Sequence, residues 1–333
     1  MADGQLGSKM WLKYVKKKQI DLIYNSKKLN DYIKAKIISN ICRLNILFMI
    51  KKAGSGHLGT SMSSIDIMVW LKLFHMSNKK IGDPNRDIFF SSKGHDAPAL
   101  YSVLFARGDI SLNKIKKLRK IDGLDGHPDV SCDGVEANTG SLGMGISKAK
   151  GILWAKKYFN QKGFIYVMTG DGELQEGQIF EALQTTKHQK LNDIMVIVDH
   201  NKIQSSKFVK DIIDLRNLKN KFLSYGWHFE RCDGHSFIEL NRCLVKLKKI
   251  KDKPKILVAD TIKGKGISFM EHTNYMKKNK FYTWHAGAPS NNDFLKAQEE
   301  IINLITLDLK KYNLILEISK ISSDKNFKNF EIH

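Results

Sequence analysis

Two apolar runs in the middle of the chain predict a pair of buried strands. Residues 164–168 and 193–199 are mostly apolar and rich in strand formers, and residues 175–188 between them carry apolar positions at helical spacing. A strand, a helix and a second strand of these lengths form a unit in which the strands are parallel and close in one sheet. Asp171 and Asn201 follow the two strands. They should therefore lie side by side at the carboxyl edge of the sheet, where open α/β sheets bind ligands.

The same kinds of pattern extend over the rest of the chain. They predict helices at 31–53, 63–76, 96–107, 112–120, 146–159, 208–225, 238–251 and 293–312, and further strands at 86–91, 227–232 and 255–261. This alternation indicates a three-layer αβα domain with a mainly parallel sheet. We divide the chain into a basic N-terminal extension (1–30), frayed apart from one short helix, a central domain (31–290), and a C-terminal helix and tail (291–333) with little pattern in its last twenty residues.

Composition narrows the class of protein. Of the 333 residues, 42% are apolar, which allows a sizeable core. No run of 18 apolar residues occurs and residues 1–18 lack the apolar segment of a secretory signal, so we expect no membrane span and a cytoplasmic location. The four cysteines show no CxxC spacing, which favours free thiols over zinc or disulfides. The net charge of +21 is spread without interleaved aromatic residues, so nucleic acid is not the expected partner.

The turn after the first strand has the composition of a metal and phosphate site. Gly170, Asp171 and Gly172 let the backbone approach a ligand closely, and Asn201 adds an amide oxygen one unit later. A carboxylate, an amide oxygen and nearby carbonyls are the hard oxygen ligands that Mg²⁺ prefers. The Gly172 N–H and the following helix N-terminus favour phosphate oxygens. The alternative is a plain Gly-Asp-Gly turn with a capping aspartate and no ligand.

Four histidines share one context, a loop beside glycine. They are His57, His95, His127 and His285. A single histidine of this kind is usually structural, but four around a candidate phosphate site suggest groups that donate to oxyanions and move protons near neutral pH. The remaining seven histidines fall on predicted helices, strands or chain ends, and we interpret them as structural: His75, His188, His200, His228, His235, His272 and His333.

Seven short motifs together carry a family resemblance. They are Ser55-Gly-His-Leu-Gly59, Ser92-Lys-Gly-His95, Gly126-His-Pro128, Thr139-Gly-Ser-Leu-Gly143, Gly170-Asp-Gly-Glu-Leu-Gln-Glu-Gly177, Asp199-His-Asn-Lys-Ile203 and His285-Ala-Gly-Ala-Pro289. With these motifs in family order over about residues 30–290, the chain resembles the N-terminal, diphosphate-binding half of transketolase. Lys263-Gly-Lys-Gly266 and Trp284-His285 resemble the form of the enzyme that is split between two genes. Leu58, Ser141 and Met144 depart from the usual family residues, which leaves the ligands in place but can alter the substrate channel.

The resemblance implies a bound thiamine diphosphate with Mg²⁺. It implies that the metal ligands are the side chains of Asp171 and Asn201 and the carbonyl of Ile203. It implies that the cofactor contacts are His95, the Gly140–Leu142 turn, the Gly172 amide and His285, with Leu142 packed against the cofactor. It implies that His57, His127 and His285 line the substrate channel and assist proton transfer. It also implies that Glu176 lies near the cofactor, where two protein chains meet, and couples paired active sites.

The implied activity is transfer of a two-carbon ketol unit from a ketose phosphate to an aldose phosphate, as in the pentose phosphate pathway. The cofactor supplies the carbanion chemistry and the protein orients it. The pyrimidine-binding half of the family is missing from the sequence. The resemblance therefore implies that the partner is a C-terminal transketolase subunit, that the assembly is a heterotetramer, and that this chain alone is inactive. Three alternatives stay open: a split ketol transferase for a modified sugar, the α-subunit of a 2-oxo acid dehydrogenase, and a non-catalytic relative.

Overall fold

The computed structural model describes residues 10–77 and 79–323. Its strands are β1 (Trp11–Tyr14), β2 (Ile88–Ser91), β3 (Ile165–Gly170), β4 (Ile194–His200), β5 (Ile203–Gln204), β6 (Lys207–Phe208), β7 (His228–Asp233), β8 (Lys255–Asp260) and β9 (Ser319–Ser322). Its α-helices are α1 (Lys17–Tyr24), α2 (Asp31–Ala53), α3 (Leu58–Trp70), α4 (Ala97–Arg107), α5 (Leu112–Ile115), α6 (Gly145–Tyr158), α7 (Gly177–His188), α8 (Val209–Ile212), α9 (Leu218–Ser224), α10 (Phe237–Lys248), α11 (His272–Tyr275) and α12 (Asn291–Lys310). A π-helical turn (Leu71–His75) extends α3, and a 3₁₀ turn (Gly172–Gln175) precedes α7.

Five parallel strands form the central sheet of the described chain, in the order β2-β3-β4-β8-β7. In register, Gly170 pairs with Asp199, and Asp199 pairs with Ala259. The chain therefore leaves β3, β4 and β8 at one edge of the sheet. The side chains and loops that follow these three strands are brought together by this register.

The sheet is covered on both faces, as the alternation of its side chains requires. Tyr166 and Met168 of β3 join a core built with α2, α3, α4, α10 and α12. Ile165 and Val167 of the same strand join a second core built with α6, α7 and α9. Because successive strand residues point to opposite faces, the two cores lie on opposite sides of one sheet. This confirms the predicted three-layer αβα architecture with a parallel sheet.

The two ends of the described chain pack together, which corrects one prediction. We expected residues 1–30 to be frayed apart from one short helix. Instead β1 pairs antiparallel with β9, with Trp11 opposite Ser322, and the side chains of Leu12 and Ile20 are buried in the main core. The prediction of fraying is wrong for residues 10–30, and residues 319–322, whose sequence has little pattern, form a strand. Residues 1–9 and 324–333 lie outside the described part of the chain.

Three helix predictions also needed correction. Helix α3 begins at Leu58 rather than at residue 63, because its small and polar first turn is buried. The predicted helix at 112–120 ends at Ile115, and the chain then turns with Arg119 at φ 54°. The helix predicted at 208–225 is broken into α8 and α9, since Ile213 is extended and Asn217 caps a new helix. In the described residues no helix has both the length and the apolar character needed to cross a membrane.

Candidate active site

A cavity of about 230 Å³ opens at the carboxyl edge of the sheet. Its walls come from the start of α3, from the loops after β2, β3, β4 and β8, and from two loops before α6 and α12. The lining residues are His57, Thr60, Lys93, His95, Gly140, Leu142, Gly170, Asp171, Gly172, Glu173, Asn201, Ile203, Gln204, Ser205, Lys263 and His285. Ligand pockets for whole drug-sized molecules start near 300 Å³, so this cavity is sized for one end of a larger ligand.

Asp171 and Asn201 meet at the floor of this cavity, as the strand register requires. The Asp171 carboxylate accepts the backbone N–H of Gly172 at 2.8 Å and that of Lys202. The Asn201 amide oxygen accepts the N–H of Ile203 at 3.1 Å. Asp171 is buried, and among the described residues it has no ion-pair partner within 4 Å. Burial raises the pKa of Asp171, and the neighbouring Asp199 carboxylate raises it further.

The ammonium group of Lys263 lies against the same floor. It donates to the carbonyls of Ile203 at 3.0 Å and Ser205 at 3.4 Å, and it lies 3.3 Å from Nδ1 of His285. The side chain is fully buried, and no carboxylate in the described chain pairs with it. Burial lowers the pKa of Lys263 to about 7. A buried cation without a counter-ion is a site for an anionic ligand group.

Buried ion pairs and hydrogen bonds behind the cavity fix its loops. The Lys93 ammonium donates to Asp199 at 2.6 Å and to Thr60 Oγ1 at 3.0 Å. Glu173 is also buried, and its carboxylate accepts the N–H groups of Gly143 at 2.9 Å and Gly170 at 3.1 Å. These contacts tie the loops before α6 and after β3 to one another. The carboxylates of Asp199 and Glu173 are thus both bound by groups of the protein itself.

Three histidine rings cluster in the lining of the cavity, with a fourth beside them. Ring centroids of His57, His95 and His285 lie 5.2 to 5.6 Å apart, and His127 lies 6.3 Å from His57. Burial lowers the pKa of His57 to about 4 and those of His95 and His285 to about 3, with nearby lysine and arginine charges adding to the effect. The pKa of His127 is lowered by burial as well. All four rings are therefore neutral near pH 7.

The free nitrogens of these rings are available to a ligand. His95 Nδ1 lies 2.9 Å from the carbonyl of Lys93, which leaves its Nε2 for the cavity. His57 Nδ1 is buried and has no hydrogen-bond partner. Gly140 has φ 129°, and a Cβ there would lie 2.7 Å from His127 Cδ2, so the turn lies directly against that ring. An unpartnered buried nitrogen in a polar cavity indicates that a substrate or cofactor group completes its hydrogen bonding.

Sequence and structure comparisons identify this arrangement. The sequence profile for the family described as transketolase, thiamine diphosphate binding domain, matches residues 33–289. The chain belongs to this family. It is 30% identical over 262 residues to one subunit of the apulose-4-phosphate transketolase of Phocaeicola vulgatus, covering 78% of this chain and 90% of that protein. It is 34% identical over 237 residues to the 6-deoxy-6-sulfo-D-fructose transketolase subunit SqwG of Clostridium sp. (strain MSTE9), covering 70% of this chain and 86% of that protein.

A solved transketolase gives the same fold. The transketolase from Campylobacter jejuni superposes with a TM-score of 0.73 at 28% sequence identity, over 86% of this chain and 48% of that chain. The chain therefore spans about half the length of that enzyme. It carries a transketolase thiamine-diphosphate-binding domain and resembles the corresponding subunits of split transketolases.

Most transketolase residues singled out in the sequence meet at the cavity, and two lie beside it. Nine of the eleven distinct site residues that we predicted line the cavity, and the other two contact residues that do. His127 does not line the cavity but contacts it through His57 and Gly140. Glu176 does not line it either. Its side chain is exposed beside Gly143, where a Cβ would lie 2.7 Å from that of Glu176. The Gly172 N–H, expected to meet phosphate, donates here to Asp171.

Sequence reasoning missed Lys263 and Glu173. Lys263 lies in a Lys-Gly-Lys-Gly loop that we had taken only as a sign of the split form, although a lysine in a glycine-containing loop just after a buried strand lies where open α/β sheets bind ligands. Glu173 follows the Gly-Asp-Gly turn, and we assigned it no role of its own. No local pattern distinguishes it, because two of its partners, Gly143 and Ser92, lie 30 or more residues away in the chain.

Proposed function

We propose that this chain is the diphosphate-binding subunit of a split, Mg²⁺-dependent transketolase that moves a two-carbon ketol unit from a ketose to an aldose. The observation that carries the proposal is the pair of unmatched charges on the cavity floor. Among the described residues, neither the buried Asp171 carboxyl nor the buried Lys263 amine has an ion-pair partner within 4 Å, although the Asp171 charge acts on Lys263 from a greater distance. Mg²⁺ bound to a diphosphate supplies both missing charges at once.

The donor atoms also fit this cofactor. Asp171, the Asn201 amide oxygen and the Ile203 carbonyl are hard oxygen ligands, so they would hold Mg²⁺. Lys263 and the Nε2 atom of His95 would face the diphosphate oxygens. The cavity is sized for this charged end alone, so the rest of the cofactor would extend past the turn at Leu142. When bound, thiamine diphosphate supplies a stabilised carbanion equivalent for ketol transfer.

The histidines would handle the sugar. His57, His127 and His285 are neutral imidazoles that can donate to a hydroxyl through one nitrogen or accept from it through the other. His57 Nδ1 has no hydrogen-bond partner among the described residues, and we assign to it the exchange of a proton with a substrate hydroxyl as the carbon–carbon bond breaks or forms.

A second polypeptide would complete the active site. Two relatives carry the word subunit in their names, and the chain covers 90% and 86% of their lengths. We propose that the partner is a C-terminal, pyrimidine-binding subunit, that two copies of each form a heterotetramer, and that Glu176, exposed beside the cavity, lies in the interface. The chain alone would bind the cofactor weakly and transfer nothing.

A modified sugar is the second candidate substrate. The same two relatives are named for apulose 4-phosphate and for 6-deoxy-6-sulfo-D-fructose. Both sugars carry an anionic group at the end far from the ketol unit, as ordinary ketose phosphates do. We therefore infer an anionic ketose as donor, with the phosphate or sulfonate recognised mainly by the partner.

The experiment is isolation of the native complex. The tagged chain would be captured from its host, the partner identified by mass spectrometry, and the two purified chains assayed together with thiamine diphosphate and Mg²⁺. The proposal predicts a stoichiometric partner and ketol transfer only when both chains are present. Xylulose 5-phosphate, apulose 4-phosphate and 6-deoxy-6-sulfofructose as alternative donors would decide the substrate. Full transfer by the single chain would overturn the split-site proposal.

A further inference from the structure

The loop that carries Lys263 is attached to the protein by two histidine rings that act as hydrogen-bond acceptors. The N–H of Ile262 donates to Nε2 of His235 at 2.9 Å, and the N–H of Lys263 donates to Nδ1 of His272 at 3.0 Å. Consecutive backbone amides are thus both accepted by imidazole nitrogens. A nitrogen that accepts carries no proton, so each ring is neutral and held in one tautomer.

The tautomer of His235 is set by a buried ion pair. Its Nδ1 lies 2.6 Å from the Asp66 carboxylate, which accepts the ring N–H. Asp66 is also bound by Arg43 at 2.6 Å, and both side chains are about 95% buried. The Arg43 Nε in turn donates to the carbonyl of Lys265 at 3.1 Å. The Arg43–Asp66–His235 network therefore holds the loop at Ile262 and at Lys265, on either side of Lys263.

Two further backbone hydrogen bonds restrict the segment around Lys263. The N–H of Gly264 donates to the carbonyl of Gly59 at 3.0 Å, at the start of α3 beside His57. The N–H of His272 donates to the Lys263 carbonyl at 2.9 Å. With the backbone fixed on both sides, the position of the Lys263 ammonium in the cavity follows from the position of these acceptors.

We propose that His235 is a positioning residue for the active site: by accepting the Ile262 amide it places the Lys263 ammonium against the cofactor's diphosphate. This inference rests on the proposed function for the diphosphate itself. It assigns to His235, which lies outside the cavity, a role in cofactor affinity that acts through the loop. The closest part of the loop to His235 is the Ile262 peptide, so the residue is not a catalytic one.

Two amide substitutions distinguish a role of His235 as a hydrogen-bond acceptor from a role in packing alone. In His235→Gln, the side-chain oxygen reaches the place of Nε2 and can still accept the Ile262 N–H. In His235→Asn, the shorter side chain keeps a donor near Nδ1 for Asp66 but leaves the Ile262 N–H without an acceptor. His188→Asn, an exposed position at the end of α7, is the matched control.

Two readouts are measured on the full chain. Titration calorimetry with thiamine diphosphate and Mg²⁺ should give an affinity about 10- to 100-fold weaker for His235→Asn, and within about 3-fold of wild type for His235→Gln and His188→Asn, by analogy with outer-shell residues of metal sites. Amide hydrogen exchange without any ligand should become faster at Ile262 and Lys263 in His235→Asn only.

The alternatives give distinct results. If both His235 variants lose affinity and thermal stability to the same extent, His235 only packs, and the positioning role is wrong. If His235→Asn binds like wild type with unchanged exchange, the role is wrong as well. If the wild-type chain, alone and with its partner, fails to bind thiamine diphosphate, the proposed function fails, whereas local exchange at Ile262 and Lys263 still decides whether His235 sets the loop.

Discussion

Two buried lysines lie at the same edge of the sheet, and their partners differ. Lys93 donates to Asp199 at 2.6 Å and lies 3.3 Å from the Asp96 carboxylate. Burial opposes its charge, but these carboxylates outweigh burial and raise the pKa of Lys93. Lys263 contacts two carbonyls, a histidine ring and the Tyr282 ring, and no carboxylate of the described chain lies within ion-pair distance, so burial lowers its pKa to about 7 although the Asp171 charge opposes this. The first charge is satisfied by the fold, and the second is left for a ligand.

This difference distinguishes a buried lysine whose charge stabilises the fold from one whose charge is available to a ligand. Both lysines occur in short glycine-containing motifs, and both lie in loops that follow central strands. Neither burial nor motif distinguishes them. The presence or absence of a carboxylate partner does, because a buried charge without a counter-ion costs free energy that an anionic ligand can offset. Replacing Lys93 by methionine should therefore destabilise the fold. Replacing Lys263 by methionine should instead weaken ligand binding and change the stability of the fold little.

The largest effect is expected for Lys93→Met. It would leave the Asp199 and Asp96 carboxylates buried without their cation, so the free energy of unfolding should fall by about 3–5 kcal/mol. Urea denaturation of the chain without ligand measures it. A loss below about 1 kcal/mol would mean that the Lys93 charge is not satisfied inside the fold, and the comparison would break.

Asp171→Asn should remove the metal site with little effect on the fold. A neutral amide replaces a buried carboxylate that lacks an ion-pair partner, so the ligand-free chain should melt at the same temperature or slightly higher. Mg²⁺-dependent affinity for thiamine diphosphate should fall more than about 100-fold, beyond the usual cost of an outer-shell change. Calorimetry with and without Mg²⁺ checks this. The control is Asp214→Asn on the loop between α8 and α9, and affinity retained in Asp171→Asn would refute the metal assignment.

Lys263→Met is the matched partner of Lys93→Met. The stability of the ligand-free chain should change by no more than about 1 kcal/mol, since an unpaired buried cation is lost along with its hydrogen bonds. Affinity for inorganic pyrophosphate with Mg²⁺ should fall about 10- to 100-fold, because a charge-assisted contact is removed. Unchanged affinity together with a large loss of stability would make Lys263 a structural residue like Lys93.

The smallest expected effect is on the pH dependence of the unfolding free energy. The pKa of His95 is about 3 in the folded chain, well below its ordinary value of 6.5, so the unfolded chain binds more protons between pH 3 and 6.5. The contribution of His95 to the free energy of unfolding is therefore fully present above pH 6.5 and is lost as the pH falls. Between about pH 6.5 and 5 the unfolding free energy should fall by about 1–2 kcal/mol more in wild type than in His95→Asn. Equal pH profiles would show that burial does not hold His95 neutral.

The proximity of Asp171 and Asn201 could be predicted from the sequence. The two parallel strands of a βαβ unit end at the same edge of the sheet, and the connection between them has a fixed handedness. The convergence of four histidine loops followed from their similar setting. These features depend on local patterns and on a rule that brings local patterns together. The three-layer fold followed for the same reason.

What could not be predicted depends on long-range pairing. Lys263 reaches Ile203 across 60 residues of sequence because β8 lies next to β4, and nothing near either residue specifies that order. The pairing of β1 with β9 joins opposite ends of the chain, and each strand is only four residues long. Helix α3 begins five residues earlier than predicted because its first turn is buried yet rich in small and polar residues.

The most direct test of the unmatched charges is a crystal structure of the chain with thiamine diphosphate and Mn²⁺ in place of Mg²⁺. Anomalous scattering locates the metal without assumptions about its ligands. We expect one peak bounded by Asp171, the Asn201 amide oxygen and the Ile203 carbonyl, with diphosphate oxygens between it and the Lys263 ammonium. A metal bound elsewhere, or a diphosphate that leaves Lys263 without a contact, would contradict the account.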